Sequence, residues 1–302
     1  KANREPLKSI VKVQRQESMT NWLDAVSPTA ALEALPDDTL EAIAAKRAAF
    51  AQVEAHAAES RARIGADLFV AAFVIPKTPD NQNLVPTSQD LWLAMNGSAP
   101  RSGVQEAAAK AALAAQAFHW QLVFPQIFSD GQSEKNGFDV LLGNPPWERI
   151  KLQEEEFFAT RSPLVAEAQH KAERGQRIDL LKQGMLLHTL YPELVTAQGL
   201  MPPNQAEQQL YAEFLSARRS AEASSLYAHD SNRYPLTGVG DVNTYALFAE
   251  TFRQLTAMDG RAGFIVPSGI ATDNTTKYYF GALILNQALV SFFEFENEGF
   301  FP

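Results

Sequence analysis

Cysteine is absent from the 302 residues, which excludes disulfides and thiolate metal sites and fits a reducing cytosol. No apolar run approaches the roughly 20 residues needed to span a bilayer. The first residues, Lys1 to Gln16, are basic, yet no apolar signal segment follows them, so a cytoplasmic protein is expected. Glycine is sparse early on: residues 1–117 contain no Gly-x-Gly, the glycine pair that would mark a cofactor loop. The five histidines, His56, His119, His170, His188 and His229, never fall at the i, i+4 spacing of a helical metal site, and no metal is expected. Basic charge is in deficit, with 26 Lys and Arg against 35 Asp and Glu and a net charge of −9. That balance argues against a surface devoted entirely to nucleic acid. It leaves room for a local basic groove, because screening limits electrostatic reach to about 10 Å.

What the chain does have is apolar content: 46% of its residues are hydrophobic, enough for a sizeable core. Pro36 to about Val74 reads as one amphipathic helix, with acids in its first turn and apolar residues three and four apart. Pro76 to Pro100, rich in Pro, Asn, Thr, Ser and Asp, reads as a loop. Gln105 to about Trp120 reads as an Ala-rich helix. The pattern then changes. Phe138-Asp139-Val140-Leu141-Leu142-Gly143 is a short apolar run between Asn136-Gly137 and Asn144-Pro145-Pro146, as in a buried parallel strand ending in a rigid loop. Glu148 to about Leu190 reads as charged helix interrupted at Pro163, and Pro203 to about Tyr227 as another helix. Val242 to Leu255 carries Tyr245, Phe248, Ala249 and Phe252 on one helical face. Gly263–Pro267 reads as a second buried strand, Thr275–Leu289 as a helix and Val290–Phe295 as a third strand. This is a doubly wound α/β pattern.

Open α/β sheets bind ligands beyond the carboxyl ends of their strands, and Asn144-Pro145-Pro146-Trp147 sits at such a place. Asn144 offers a side-chain carbonyl acceptor, and the two prolines fix the backbone so that a neighbouring main-chain carbonyl can serve as a second. An exocyclic amine donating to both would be held with its lone pair toward an electrophile. Trp147 supplies a face for a planar base, worth roughly 1–3 kcal/mol of stacking. No general base is needed where the electrophile is a methylsulfonium, because positioning and electrostatics can supply most of the acceleration.

The decapeptide Phe138–Trp147 resembles the catalytic motif of amino-methyltransferases, in the form used by adenine-N6 DNA methylases. Phe118-His119-Trp120-Gln121-Leu122-Val123-Phe124-Pro125 resembles the lead-in found in the large restriction-modification and phage-defence methylases, those with Eco57I-like methylase domains. Gly240–Phe248, Gly263–Ile270 and Phe295–Pro302 resemble later blocks of the same family, in family order. The resemblance covers roughly Phe118 to Pro302. It implies a partial Rossmann-like class I methyltransferase fold with helical insertions, S-adenosylmethionine as cofactor, and double-stranded DNA as partner with the target adenine rotated out of the stack. Asn144 and the Pro145 carbonyl would hold the adenine N6, Trp147 would stack on the ring, and Phe300 and Phe301 would wall the other side.

Residues 118–302 are then expected to form the catalytic half, with a helical insertion over about 148–234, and residues 1–117 a mainly helical insertion or linker. The family's cofactor loop precedes its catalytic motif. The one Gly-x-Gly, Gly238-Val239-Gly240, follows it and lacks a preceding strand, so the cofactor-binding residues are not identified within this sequence. The chain starts without Met and ends on Phe301-Pro302. The loop is therefore expected upstream of Lys1, and the chain alone is expected not to methylate. Two other functions fit the motif: methylation of a protein glutamine, whose planar amide suits the same acceptors, and a DNA-binding subunit without turnover. Arg218, Arg219, Arg233 and Lys277 are candidate phosphate contacts, which position nucleic acid without reading its sequence. Glu154-Glu155-Glu156 reads as a solvated helix face.

Overall fold

The structure is a computed structural model and describes residues 31–32, 34–58, 60–128, 136–197 and 202–295. These divide into two compact units, one formed by the chain up to Glu148 together with the chain from Leu226 onward, the other by Arg149–Ser225.

The first unit begins with helices. α1 (Leu40–Ala58) and α2 (Arg61–Val74) replace the single long helix expected over 36–74. The break has a local cause: Ser60 adopts extended backbone and its hydroxyl accepts the Arg63 N–H, capping a new helix start. α2 ends where Pro76 forces Ile75 into extended backbone. The expected loop over 76–100 contains a helix, α3 (Ser88–Met95). Thr87 and Asp90 form a reciprocal capping box at its start, a pairing that satisfies two otherwise orphaned N–H groups. α4 (Val104–Ala114) follows, then the short α5 (Trp120–Val123) and α6 (Pro125–Phe128). Leu68, Ala71, Leu91, Ala94, Val104 and Ala108 from α2, α3 and α4 form one buried core.

β1 (Phe138–Gly143) is the expected first strand. The second unit then carries α7 (Glu154–Ala159), α8 (Pro163–Ala166), α9 (Lys171–Gln183), α10 (Leu186–Leu190), α11 (Pro192–Ala197) and most of α12 (Gln205–Asp230). Pro163 does not merely interrupt a helix. It opens α8 at the first-turn position where its missing N–H costs nothing. Phe157, Phe158, Val165, Ile178, Leu181, Leu186 and Phe214 close around one another as this unit's core. Arg174, itself buried, pairs with Glu154 at 3.2 Å and Glu155 at 2.7 Å and so holds α7 against α9, while Glu155 and Glu156 stay exposed as expected and Glu154 is half-buried.

Back in the first unit, α13 (Thr244–Leu255) leads directly into β2 (Thr256–Phe264), followed by α14 (Gly269–Thr272) and α15 (Lys277–Leu285). Tyr245, Ala246 and Ala249 of α13 pack with Ile270 and Tyr279. The buried Glu250 accepts the Thr237 N–H at 2.9 Å and its hydroxyl at 2.7 Å, which fixes the turn ahead of α13. β1 and β2 pair in parallel, with Val140 opposite Arg261 and Gly143 opposite Phe264. Among the described residues the fold is thus mixed helix and strand with a two-stranded parallel sheet.

Three expectations about strands need correction. β2 starts at Thr256, well before Gly263, because pairing with β1 rather than apolar composition selects its residues. Val290–Phe295 forms no strand; it lies in irregular backbone with no ladder partner among the described residues. β1 is not buried: Val140 is 61% and Leu142 79% exposed. A parallel strand is covered when helices lie on both faces of its sheet. Here the sheet leaves these two side chains open.

Candidate active site

The tetrapeptide Asn144–Trp147 leaves the carboxyl end of β1, and β2 supports its first step. The Ile265 N–H donates to the Gly143 carbonyl at 3.1 Å, carrying the ladder one residue past the end of β2. The Ile265 carbonyl in turn receives the Trp147 indole N–H in a long contact of 3.4 Å. Pro145 is buried, whereas Asn144, Pro146 and Trp147 are exposed, Trp147 by 52%. An indole anchored at its N–H and open over half its surface presents a face for stacking.

The loop is tied on its other side by α13. Thr244 is that helix's first residue, and its N–H donates to the Glu148 carbonyl at 2.9 Å. The Thr244 hydroxyl lies 2.7 Å from the Pro146 carbonyl and receives the Glu148 N–H at 3.1 Å. The Asn144 side chain and the Pro145 carbonyl make no hydrogen bond among the described residues. Two acceptors on adjacent residues are therefore left for a ligand, while the Pro146 carbonyl is already engaged.

Gly143 explains how the helix comes so close. A Cβ there would sit 2.8 Å from Cζ of Phe252 on α13, and that ring is itself packed against Phe248 and Phe264. Gly143→Ala should therefore push α13 from β1 and cost about 1–3 kcal/mol, the usual price of overpacking. A urea titration would measure it, and Phe252→Leu in the same chain should recover part of the loss. An unchanged midpoint for Gly143→Ala would show that the ring yields freely.

The remaining candidates separate clearly. Phe300 and Phe301 lie outside the described residues. Of Gly238-Val239-Gly240, only Gly238 is packed: a Cβ there would meet the Ala228 carbonyl at 2.3 Å, and its own carbonyl lies 2.8 Å from His229 Nδ1, whereas Val239 and Gly240 are exposed. Arg218 and Arg219 both approach Glu222, at 3.7 and 3.9 Å, and Lys277 lies over the Tyr278 ring at 5.0 Å.

Sequence reasoning passed over Thr244, whose partners are close to a hundred positions away in the chain. It also missed local work done by the histidines. His119 Nε2 lies 2.8 Å from the buried Asp67, which Arg63 also grips through Nε, and His170 caps α9 by accepting the Glu173 N–H. Tyr245 is a core residue, as its place on the apolar face of α13 suggested. Burial, with Asp273 beside it, raises its hydroxyl above the ordinary phenol value.

Among the described residues no helix is long and apolar enough to cross a membrane. No curated protein and no solved structure matches the chain. Residues 78–181, about a third of the chain, match the family model described as Eco57I restriction-modification methylase, and over that stretch, which includes Asn144–Trp147, the chain is similar to a methylase of the restriction-modification type.

Proposed function

We propose that this chain carries the acceptor-base site of a site-specific adenine-N6 DNA methyltransferase that uses S-adenosylmethionine and serves a restriction-modification or phage-defence system. The observation that carries this reading is the pair of unengaged acceptors at Asn144 and Pro145, set beside an exposed, anchored indole at the carboxyl end of a parallel strand. An adenine swung out of the duplex would donate its two N6 protons to the Asn144 carbonyl and the Pro145 carbonyl. That arrangement holds the nitrogen and turns its lone pair outward, away from the ring plane. Trp147 would stack on the base. The similarity of residues 78–181 to restriction-modification methylases supports the same reading. In it, the sheet belongs to a Rossmann-like class I methyltransferase domain, and Arg149–Ser225 is a helical insertion within that domain.

Methyl transfer from labelled S-adenosylmethionine tests the proposal directly. The enzyme at its full native length would be offered duplex DNA, the same duplex with adenine replaced by N6-methyladenine, and a glutamine-bearing protein acceptor. Label should enter only the unmodified duplex and be recovered as N6-methyladenine. Label on glutamine would assign the site to a protein acceptor. DNA binding without transfer to any acceptor would make the chain a recognition subunit.

A further inference from the structure

Thr244 lies outside the tetrapeptide and 98 positions beyond Pro146, yet it holds both sides of Trp147. Its hydroxyl oxygen is 2.7 Å from the Pro146 carbonyl, 3.0 Å from the Glu148 carbonyl and 3.1 Å from the Glu148 N. A hydroxyl has one proton to give and lone pairs to receive with. The Glu148 carbonyl already receives the Thr244 N–H at 2.9 Å, whereas the Pro146 carbonyl has no other donor among the described residues. The proton therefore goes to Pro146, and the lone pair takes the Glu148 N–H. The Thr244 hydroxyl and N–H, the Pro146 carbonyl and both main-chain groups of Glu148 are then satisfied. The exchange also completes the start of α13, where Asn243 provides no side-chain cap and a first-turn N–H would otherwise lack a partner.

We infer that Thr244 is the positioning residue of the acceptor site. By consuming the Pro146 carbonyl and fixing Glu148, it sets the loop so that the Pro145 carbonyl is the one left to share an amine with Asn144, and it sets the angle of the Trp147 indole. This inference rests on reading Asn144–Trp147 as the amine site. Threonine suits the task because its β-branch restricts the hydroxyl to few rotamers, and because it stands on a helix whose Tyr245, Ala246 and Ala249 are locked in the core.

The test compares Thr244→Val, which keeps the shape and removes the hydroxyl, with Thr244→Ser, which keeps the hydroxyl. Both are made in the full-length enzyme labelled with 5-fluorotryptophan, where the Trp147 resonance is identified by its loss in Trp147→Phe. Thr244→Val should lower kcat about 10–100-fold, the scale of a misplaced reactant, with KM for S-adenosylmethionine little changed. It should also shift or broaden the Trp147 fluorine signal. Thr244→Ser should stay within about threefold of the parent in kcat, as expected where the transition-state contact survives, and leave that signal in place. The inference is overturned if Thr244→Val keeps the parent kcat, whether or not the signal moves, or if Thr244→Ser is as impaired as Thr244→Val. If neither the parent enzyme nor Asn144→Ala transfers methyl to DNA, the functional reading falls separately. The fluorine signal then decides by itself whether Thr244 holds the loop.

Discussion

Asn144→Ala should slow methyl transfer by about 10²–10³-fold while leaving the fold untouched. The Asn144 side chain is exposed and makes no hydrogen bond among the described residues, so its removal breaks nothing that holds the protein together. An exposed substitution of that kind changes stability by no more than about 0.5 kcal/mol. Its expected cost to chemistry is far larger. One of the two acceptors that orient the amine is lost, and deleting a single oriented polar group from a reacting centre lowers kcat by about 10²–10³-fold. The check is a pair of measurements on the same preparation, single-turnover transfer of labelled methyl to DNA and a thermal melt. A large loss of rate with an unchanged melt fits a residue that acts only on the substrate. Transfer within about threefold of the parent would remove Asn144 from the site and with it the adenine-N6 assignment. Asn144→Asp is the informative companion, since a carboxylate still accepts an N–H but brings a negative charge to the amine. Some activity should survive in it that Asn144→Ala lacks.

The site's legibility was uneven, and the reasons are physical. Phe138–Gly143 followed by Asn144-Pro145-Pro146 could be read as strand and rigid loop because both signals are local: apolar residues of short run length, then two fixed φ angles. The exposure of Val140 and Leu142 could not be read, because burial of a strand depends on which elements cover it rather than on its own residues. β2 shows the same limit from the other side. Arg261 and Gly263 are not strand formers by composition, yet they lie in the ladder because β1 offers them Val140 and Leu142 as partners, while Met258 and Asp259 fall in the register shift between Thr256 and Arg261. The third expected strand had the composition and no such partner.

Helix boundaries divided along similar lines. α13 is legible from the apolar face of Tyr245, Phe248, Ala249 and Phe252. α3 was lost inside a stretch whose Pro, Asn and Ser content favours loop, although Thr87-Ser88-Gln89-Asp90 carries the hydroxyl-x-x-acid spacing of a capping box. That spacing was the available signal. The break at Ser60 was hidden because Ala-rich sequence on both sides is equally helical, and only the cap chooses the restart. Thr244 had no local signal at all, since its role exists only once β1 and α13 are brought side by side.

Asp90 is where the largest loss of stability is expected, well away from the acceptor site. Its side chain is 1% exposed. It accepts the Thr87 N–H at 2.8 Å and hydroxyl at 2.6 Å, the Arg101 main-chain N–H at 3.1 Å, and the Arg101 guanidinium at 2.7 Å. Arg101 continues outward to the Asn83 and Val85 carbonyls, so one carboxylate organises the whole passage from the turns before α3 to the start of α4. Burial alone would raise its pKa, but the hydrogen bonds from Arg101 and Thr87 outweigh burial and hold Asp90 well below the ordinary carboxylate range. Arg101 is raised in return, chiefly by its hydrogen bond to Asp90. Asp90→Ala removes the cap, strands the Arg101 and Thr87 donors and leaves a void in the core. Breaking a buried pair costs about 3–5 kcal/mol when both partners are enclosed. Arg101 is 43% exposed and regains water, so about 2–4 kcal/mol is expected here, a fall in Tm on the order of 10 °C. The sign of the pH dependence follows from the depressed value. The carboxylate's contribution is fully present above the unfolded Asp value of about 3.9 and fades as pH falls toward the lower folded value. The gap between parent and Asp90→Ala should therefore be constant from neutral pH down to the unfolded carboxylate value, then narrow in more acid solution. Urea midpoints measured across that range would show it. A gap that stayed the same into strong acid would mean that Asp90 acts by filling space, and that its charge contributes nothing.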